Sequence, residues 1–183
     1  MRRTIVLLSG GIDSATALYM VKQEDTETYT VNILYAQASI REAEASKNIA
    51  AIAKVKEHLV VSLPFYKEIQ DRYHPGPSSS VSAAYVPARN IVFYGIAAAY
   101  AETLGAHEIV FGSNSDDVKE LPDAKPEFIQ LMNELIKRGT RMGTEGSPCQ
   151  IVNPLINYNK QEVLKLALQL KVPLESTWSC YED

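Results

Sequence analysis

Short apolar runs rich in β-branched residues alternate along the chain with segments whose apolar residues recur every three or four positions. The first kind predicts buried strands, at Thr4–Leu8, Tyr29–Tyr35, Glu57–Leu63, Glu108–Gly112 and Ile151–Val152. The second kind predicts helices, at Asp13–Lys22, Glu42–Lys54, Arg89–Leu104, Pro122–Arg138 and after Asn159. The alternation predicts an α/β fold with a doubly wound, parallel, five-stranded sheet and helices on both faces.

Two of these helices allow a prediction about burial. Arg89–Leu104 is so apolar that we expect it to be largely buried, with Gly105 ending it. In Pro122–Arg138 the helical spacing predicts one inward-facing apolar side, formed by Phe128, Leu131, Met132, Leu135 and Ile136.

The segment Tyr66–Ala84 has the least regular pattern. It contains His74-Pro75-Gly76-Pro77 followed by three serines. Too little chain follows it for a second domain, so we expect a mobile loop within a single domain spanning residues 1–183.

Composition narrows the class of protein. The 183 residues are 46% hydrophobic and 22% charged, with a net charge of −4, which is typical of a soluble globular domain. The acidic balance argues against direct nucleic-acid binding. No apolar run is long enough to span a membrane, and Ile5–Leu8 is too short for a signal peptide, so we expect a cytoplasmic protein. Cys149 and Cys180 do not provide a disulfide framework.

The string Ser9-Gly10-Gly11-Ile12-Asp13-Ser14 lies where the first strand turns into a helix. Two glycines allow a tight turn close to a ligand, and the helix start presents unpaired N–H groups to an anion. The serines add hydroxyl donors, and Asp13 suits Mg²⁺ or loop orientation. These features predict a site for the phosphates of ATP. The alternative is a Gly-Gly turn with Asp or Ser as helix caps.

Other polar residues follow the ends of other predicted strands. Gln37 comes after the second strand, and the segment from Gly112 to Asp117 comes after the fourth. Ligands bind beyond the carboxyl ends of parallel strands, so we expect these residues to share one site with the Gly-Gly turn.

The six-residue string resembles the loop of N-type ATP pyrophosphatases, which adenylate a substrate oxygen and release pyrophosphate. Further segments resemble 7-cyano-7-deazaguanine synthases over nearly the whole chain, in the order Tyr85-Val86-Pro87-Ala88-Arg89-Asn90, Gly112-Ser113-Asn114-Ser115-Asp116-Asp117, Pro122-Asp123, Pro154-Leu155, Asn159-Lys160 and Thr177-Trp178-Ser179-Cys180-Tyr181.

The resemblance implies a fold like that of adenine nucleotide alpha hydrolases. It also implies conversion of 7-carboxy-7-deazaguanine, ATP and ammonia to the nitrile through an adenylated carboxylate, a step of queuosine and archaeosine synthesis. Mg²⁺, Zn²⁺ and a homodimer are expected with it. The partners are then small molecules, with no direct contact to nucleic acid or membrane.

Carried over residue by residue, the resemblance implies three groups of site residues. The catalytic group is Asp13, Arg89, Asp117 and Lys160. The nucleotide-binding group is Ser9, Gly10, Gly11, Asp13, Ser14, Gln37 and Gly112. The acceptor-binding group is Tyr85, Arg89, Asn90, Asn114, Asp117 and Asp123.

Residue types alone leave other roles open for several of these. Arg89 also suits a surface ion pair, and Lys160 suits a solvated helix surface. Asp117 and Asp123 suit Mg²⁺ or a purine-like base, but equally a helix cap or turn.

Three features depart from the family pattern. The family carries four cysteines for zinc near its end, and only Cys180 matches here, so either the chain is truncated or this relative lacks the metal. Gln37-Ala38-Ser39 stands where the family has Gln-Arg-His. Val118-Lys119-Glu120-Leu121 replaces a Ser-Gly-Tyr stretch. These differences leave two alternatives open: another enzyme of the superfamily, such as an amidating ligase or a tRNA-modifying enzyme, and a non-catalytic nucleotide-binding module.

Overall fold

The computed structural model describes residues 1–35, 40–74, 82 and 85–178. The strands are β1 Arg2–Leu7, β2 Thr26–Leu34, β3 Glu57–Ser62, β4 Glu108–Val110 and β5 Gln150–Val152. The helices are α1 Ile12–Val21, α2 Ile40–Ile52, α3 Tyr66–Arg72, α4 Arg89–Leu104, α5 Ser115–Glu120, α6 Pro126–Gly139, α7 Arg141–Thr144 and α8 Lys160–Gln169. Short 3₁₀ helices cover Pro122–Ala124 and Leu174–Ser176.

The five strands form one parallel sheet in the order β3-β2-β1-β4-β5. Ile5 of β1 pairs with Tyr29 on one side and with Ile109 on the other. The chain moves outward from β1 through β2 to β3 and then returns to build β4 on the other side of β1. This confirms the predicted fold class, and it places a topological switch point between β1 and β4.

Helices cover both faces of the sheet, and each face has its own core. On one face, Ile5 and Ile109 pack with Tyr94 of α4 and Ile136 of α6. On the other face, Val6 packs with residues of α1, α2 and α8, including Leu18, Ile49 and Val163. The alternation of side chains along β1 therefore serves two separate apolar layers.

The structure corrects three predicted elements. The segment expected to be an irregular loop begins with α3, although residues 75–81, 83 and 84 lie outside the described residues. The helix predicted from Pro122 is interrupted at Lys125, because Pro126 favours an extended residue before it. Helix α5 was not predicted, because none of its residues is buried and no apolar period marks it.

Two predictions about burial hold only in part. In helix α4, Tyr94, Ala97, Ala98 and Ala101 are buried and further apolar residues pack partly buried against the core, but Ile91 is 47% exposed. On α6 the predicted inward side is confirmed for Met132 and Ile136, which are buried, and wrong for Leu131 and Leu135, which are 71% and 60% exposed. The helical spacing therefore predicted an apolar face on α6 that is wider than the part of this helix that packs against the core. No helix of the described residues is long and apolar enough to cross a membrane.

Candidate active site

A cavity of about 310 Å³ lies at the carboxyl ends of β1, β2 and β4, at the switch point. Six of the predicted site residues line it: Ser9, Ser14, Arg89, Asn90, Gly112 and Asp117. They come from three separate segments of the chain, after β1, at the start of α4 and after β4, and the parallel sheet brings them together as expected.

The turn after β1 keeps main-chain N–H groups available. Ile12, Asp13 and Ser14 lie in the first turn of α1, where a main-chain N–H has no helical carbonyl partner four residues earlier, and among the described residues their N–H groups donate to no other main-chain carbonyl. The first helical hydrogen bond of α1 runs from the Ala15 N–H to Gly11 O, at 3.0 Å. These free donors at a helix start fit an anion.

Two serines brace this turn from within. The Ser14 hydroxyl donates to Gly11 O at 3.0 Å and lies 3.0 Å from the Ser9 hydroxyl. Ser9 Oγ in turn accepts the Gly11 N–H at 3.3 Å. Because the hydroxyl protons serve the turn itself, the serines fix its shape, and the main-chain amides are left as donors toward the cavity.

Two glycines are required by close backbone contacts. Gly10 has φ +98°, and a Cβ there would lie 2.6 Å from the carbonyl oxygen of Glu42 in α2. A Cβ on Gly112 would lie 2.5 Å from the carbonyl oxygen of Asp13. Residues 9–14 are called the phosphate loop below. Both the segment after β4 and the first turn of α2 contact the backbone of this loop so closely that only glycine fits.

Asp13 and Asp117 face each other across the switch point. Burial raises the pKa of Asp13, and the negative charge of Asp117 raises it further, while Lys160 and a hydrogen bond from Asn114 lower it. One carboxylate oxygen of Asp13 is buried without a hydrogen-bond partner in the described part of the chain. An unpaired oxygen beside a second carboxylate is the kind of environment that a divalent cation stabilises.

Asn114 and Asp117 form a capping box at the start of α5. Asn114 Oδ1 accepts the N–H groups of Asp116 and Asp117, and Asp117 Oδ2 accepts the Asn114 N–H at 3.0 Å. The cap role that the sequence left open is thus present. It also fixes Asp117 at the edge of the cavity, where its other oxygen is available.

Arg89 is the first residue of α4 and follows Ala88, whose φ is +53°. The Ala88 N–H donates to the Tyr85 hydroxyl at 3.0 Å, which holds this left-handed residue in place. The Arg89 guanidinium donates to the Tyr35 hydroxyl at 2.9 Å, and no carboxylate among the described residues forms an ion pair with it. Its charge is therefore directed at the cavity and leaves room for an anion.

One side of the cavity is lined by Arg89, Asn90 and Tyr94, and Asp123 lies behind it, in contact with Asn90. These four residues are called the acceptor wall below. The Asn90 side chain donates to the main-chain oxygen of Asp123 at 3.1 Å. Burial raises the pKa of Asp123 while Arg89 lowers it, and burial also raises the pKa of Tyr94. Asp123 Oδ1 and the Tyr94 hydroxyl are both buried and unpartnered within the described residues.

The remaining predicted residues lie farther from the cavity or cannot be placed. Tyr85 and Asp123 stand behind its lining, and Lys160 begins α8 close enough to lower the pKa of Asp13. Gln37 and Cys180 lie outside the described residues, as does Ala38-Ser39. Leu121, from the segment that departs from the family pattern, does line the cavity.

Sequence reasoning missed three polar cavity residues, Asn32, Glu42 and Tyr94. Asn32 of β2 is 2% exposed and donates to Leu8 O at 2.8 Å, while its own oxygen has no partner among the described residues. Tyr94 is hidden in the apolar pattern of α4. An asparagine at an inward position of a buried strand was the available signal, because such a position normally holds an apolar residue.

The described residues do not fit a zinc centre. They contain no group of three or more His, Cys, Asp or Glu side chains able to hold a metal ion. Cys149 is buried in the core, where burial raises the pKa of its thiol to about 12, so it is not a thiolate ligand.

Solved structures share this architecture. A 4-thiouridine synthetase solved with RNA and bound ATP superposes with a TM-score of 0.63 at 20% identity, over 100% of this chain and 44% of that one. The NH3-dependent NAD synthetase of Campylobacter jejuni gives a TM-score of 0.56 at 19% identity, over 93% of this chain and 64% of that one. Fold and site together define an α/β protein with the PP-loop fold and a polar cavity at the switch point of its sheet.

Sequence relatives narrow the class to a family. The family model described as "Queuosine biosynthesis protein QueC" matches residues 3–183. The 7-cyano-7-deazaguanine synthase of Acaryochloris marina is 38% identical, over 99% of this chain and 84% of the relative. That of Acetivibrio thermocellus is 37% identical over 99% and 84%. The chain belongs to the QueC family, and it is an ATP-dependent enzyme of queuosine precursor synthesis, as the sequence predicted.

Proposed function

We propose that this enzyme converts 7-carboxy-7-deazaguanine and ammonia to 7-cyano-7-deazaguanine with ATP; its relatives are named as synthases of the same product. The observation that carries the proposal is that the phosphate loop has free amides beside a cavity lined by Arg89. Among the described residues, no carboxylate forms an ion pair with Arg89. Loop and cation suit the phosphates of ATP and the charge that develops on them during transfer.

The chemistry needs activation because a carboxylate is a poor electrophile. Its oxygen attacks the α-phosphorus of ATP and pyrophosphate leaves, which gives a mixed anhydride. Ammonia then attacks the carbonyl carbon and AMP leaves, which gives the amide. A second adenylation on the amide oxygen, again releasing pyrophosphate, lets AMP depart as the nitrogen loses its protons and the nitrile forms.

For the nucleotide we assign the loop residues Ser9, Gly10, Gly11 and Ser14, with Gly112 as their support. We also assign to the phosphates Arg89, which lines the cavity, and Lys160, which lies close enough to Asp13 to lower its pKa. Asp13 and Asp117 are the residues that would hold Mg²⁺, which would supply charge neutralisation for the pyrophosphate when bound. The unpartnered oxygen of Asp13 supports this assignment.

For the acceptor we assign the acceptor wall, with Tyr85 and Asn114 as positioning residues. Asp123 Oδ1 and the Tyr94 hydroxyl are buried and unpaired among the described residues, and the deazaguanine ring offers N–H donors to such acceptors. Asn90 lines the cavity and is held by Asp123.

The homodimer also remains a proposal. Ile91 of α4 and Leu131 and Leu135 of α6 are exposed apolar residues on two helices that cover the same face of the sheet. Such a patch suits a second copy of the chain. Light scattering of the purified protein tests this, since the Leu131→Glu variant is expected to be monomeric.

The activity is tested by incubating the purified enzyme with ATP, 7-carboxy-7-deazaguanine and ammonia. We expect the nitrile, AMP and pyrophosphate, each dependent on the acid. If pyrophosphate is released without response to the acid, the acceptor is wrong but adenylation stands. If ATP is not consumed under any condition, the catalytic account fails.

A further inference from the structure

The segment that follows the second 3₁₀ helix makes a direct contact with the phosphate loop. Its Trp178 N–H donates to the Gly10 carbonyl oxygen at 2.9 Å. The carbonyl oxygen of Trp178 would lie 3.6 Å from a Cβ on Gly11. The two segments are separated by more than 160 residues in sequence, so the contact is part of the tertiary structure of the site.

This contact fixes the direction of a loop amide. The peptide between Gly10 and Gly11 is planar and trans, so its C=O and N–H point to opposite sides. With the oxygen held by Trp178, the Gly11 N–H is directed back to Ser9 Oγ, at 3.3 Å. Glycine at both positions leaves this peptide free to rotate unless a partner holds it.

The Trp178 side chain makes a second contact, with the first turn of α2. The Arg41 guanidinium lies over the indole ring, 4.8 Å from its centroid, which is a cation–π distance. Arg41 belongs to the first turn of α2, the turn whose Glu42 carbonyl presses on Gly10. Indole and main chain of Trp178 thus hold both the loop and the helix that supports it.

The segment itself is well anchored. The Thr177 hydroxyl and N–H both donate to Leu174 O, at 2.7 and 3.0 Å, and Leu174 packs against the core on that face. Because its segment is already fixed, the Trp178 N–H loses little conformational entropy when it binds the flexible Gly10–Gly11 peptide.

We propose that Trp178 is a positioning residue for ATP: its main-chain N–H sets the Gly10–Gly11 peptide, and its indole keeps the first turn of α2 against the loop. This role rests on the proposed binding of ATP phosphates by the loop.

Two variants separate the main chain from the side chain. Trp178→Ala removes the indole and keeps the N–H, whereas Trp178→Pro removes both. Proline is sterically acceptable because Thr177 is extended, with φ −84° and ψ 149°. We expect Trp178→Ala to raise the KM for ATP a few-fold and Trp178→Pro to raise it about tenfold further. The KM for the acid and the melting temperature should be nearly the same in the two variants.

A second measurement needs no variant. Trp178 is the only tryptophan of the chain, so its fluorescence reports on this contact alone. Adding inorganic pyrophosphate to the wild-type protein should change the emission with a saturable dependence.

The outcomes are distinct. Equal KM values for ATP in the alanine and proline variants would overturn the role of the Trp178 main-chain N–H, and a wild-type KM in the alanine variant would overturn the role of the indole. A wild-type protein that neither binds nor consumes ATP would instead overturn the proposed function.

Discussion

The phosphate loop and the acceptor wall face the same cavity but differ in how their polar groups are satisfied. In the loop, the serine hydroxyls and the Gly10 carbonyl are paired with partners inside the protein, and the groups left unpaired among the described residues are main-chain amides and one oxygen of Asp13. In the acceptor wall, Asp123 Oδ1 and the Tyr94 hydroxyl are buried without partners among the described residues. The loop is therefore shaped before ligand binding, whereas the wall has polar groups that a substrate would complete.

The difference predicts that the loop accepts phosphates in general, whereas the wall selects its substrate. Free amides at a helix start recognise any phosphate, whichever molecule carries it. Unpaired buried groups discriminate strongly, because a substrate that fails to pair them leaves the cost of burial uncompensated.

The largest expected effect comes from breaking the shape of the loop. In Gly112→Ala the new Cβ would meet the Asp13 main chain at 2.5 Å, so the loop must move. We expect kcat/KM to fall by about 100-fold or more, because displacements near 1 Å have such effects. Steady-state kinetics with ATP as the varied substrate measures this.

Gly95→Ala is the matched control for Gly112→Ala. Gly95 lies in α4 with open space around its Cβ position, so alanine should leave activity unchanged and stabilise the helix by about 0.5–1 kcal/mol. Wild-type activity in Gly112→Ala would mean that the loop is not preformed, and the comparison with the wall would lose its basis.

The second prediction addresses the wall. Asp123→Asn replaces a buried acceptor by a group that can donate, so we expect the KM for the acid to rise about 10- to 100-fold, with the KM for ATP unchanged. Kinetics with each substrate varied in turn gives the two constants. Asp116→Asn serves as the control, since Asp116 is half-exposed and pairs with Lys119 on the surface. A rise in the KM for ATP alone would assign Asp123 to the nucleotide.

The third prediction concerns the ionised carboxylate that the loop holds. Burial and Asp117 raise the pKa of Asp13, so the folded state disfavours its charge and loses stability as pH rises through this range. Asp13→Asn should therefore abolish turnover and yet raise the free energy of unfolding at pH 7. Urea denaturation at pH 7 and near pH 4 checks it, since the gain should shrink at the lower pH. A destabilised variant would contradict the sign.

The smallest effect concerns the support behind the loop. His58 contacts Thr30 at 2.9 Å and lies near Ser46 of α2, and burial together with Lys47 lowers its pKa. The folded state favours neutral His58. The free energy of unfolding that this provides should be fully present above about pH 6.5 and be lost as the pH falls through the lowered pKa of His58. In His58→Gln we expect this loss to be smaller by a few tenths of a kcal/mol per pH unit. Urea denaturation of both proteins from pH 7.5 to pH 5.5 would show it; identical slopes would exclude His58 as the titrating support.

The sequence allowed the loop side of the site to be predicted well. A buried strand, two glycines and a helix start are local signals, and the structure places the turn between β1 and α1 as expected. The start of α4 at Arg89 was also predicted correctly, because Pro87 marks it. At Asn159 the sequence predicted a cap, and the structure has a full capping box there with Glu162.

The wall could not be predicted in the same way. Tyr94 belongs to an apolar period that indicates only a core helix, and its hydroxyl becomes significant only when α4 packs beside the 3₁₀ helix of Asp123. The exposure of Leu131 depends on how much of α6 the sheet can cover. Such facts follow from the placement of whole elements, which local patterns do not encode.

The left-handed residue Ala88 has a consequence for the accuracy of catalysis. A side-chain-bearing residue at φ +53° costs about 1 kcal/mol or more, and glycine would remove that cost. Glycine would also let the chain before α4 rotate through many directions. Alanine narrows this range, and the Tyr85 hydroxyl selects one orientation within it. The strained backbone at Ala88 thus gives the Arg89 guanidinium a single direction toward the cavity, which on the proposed function is the direction of the phosphates.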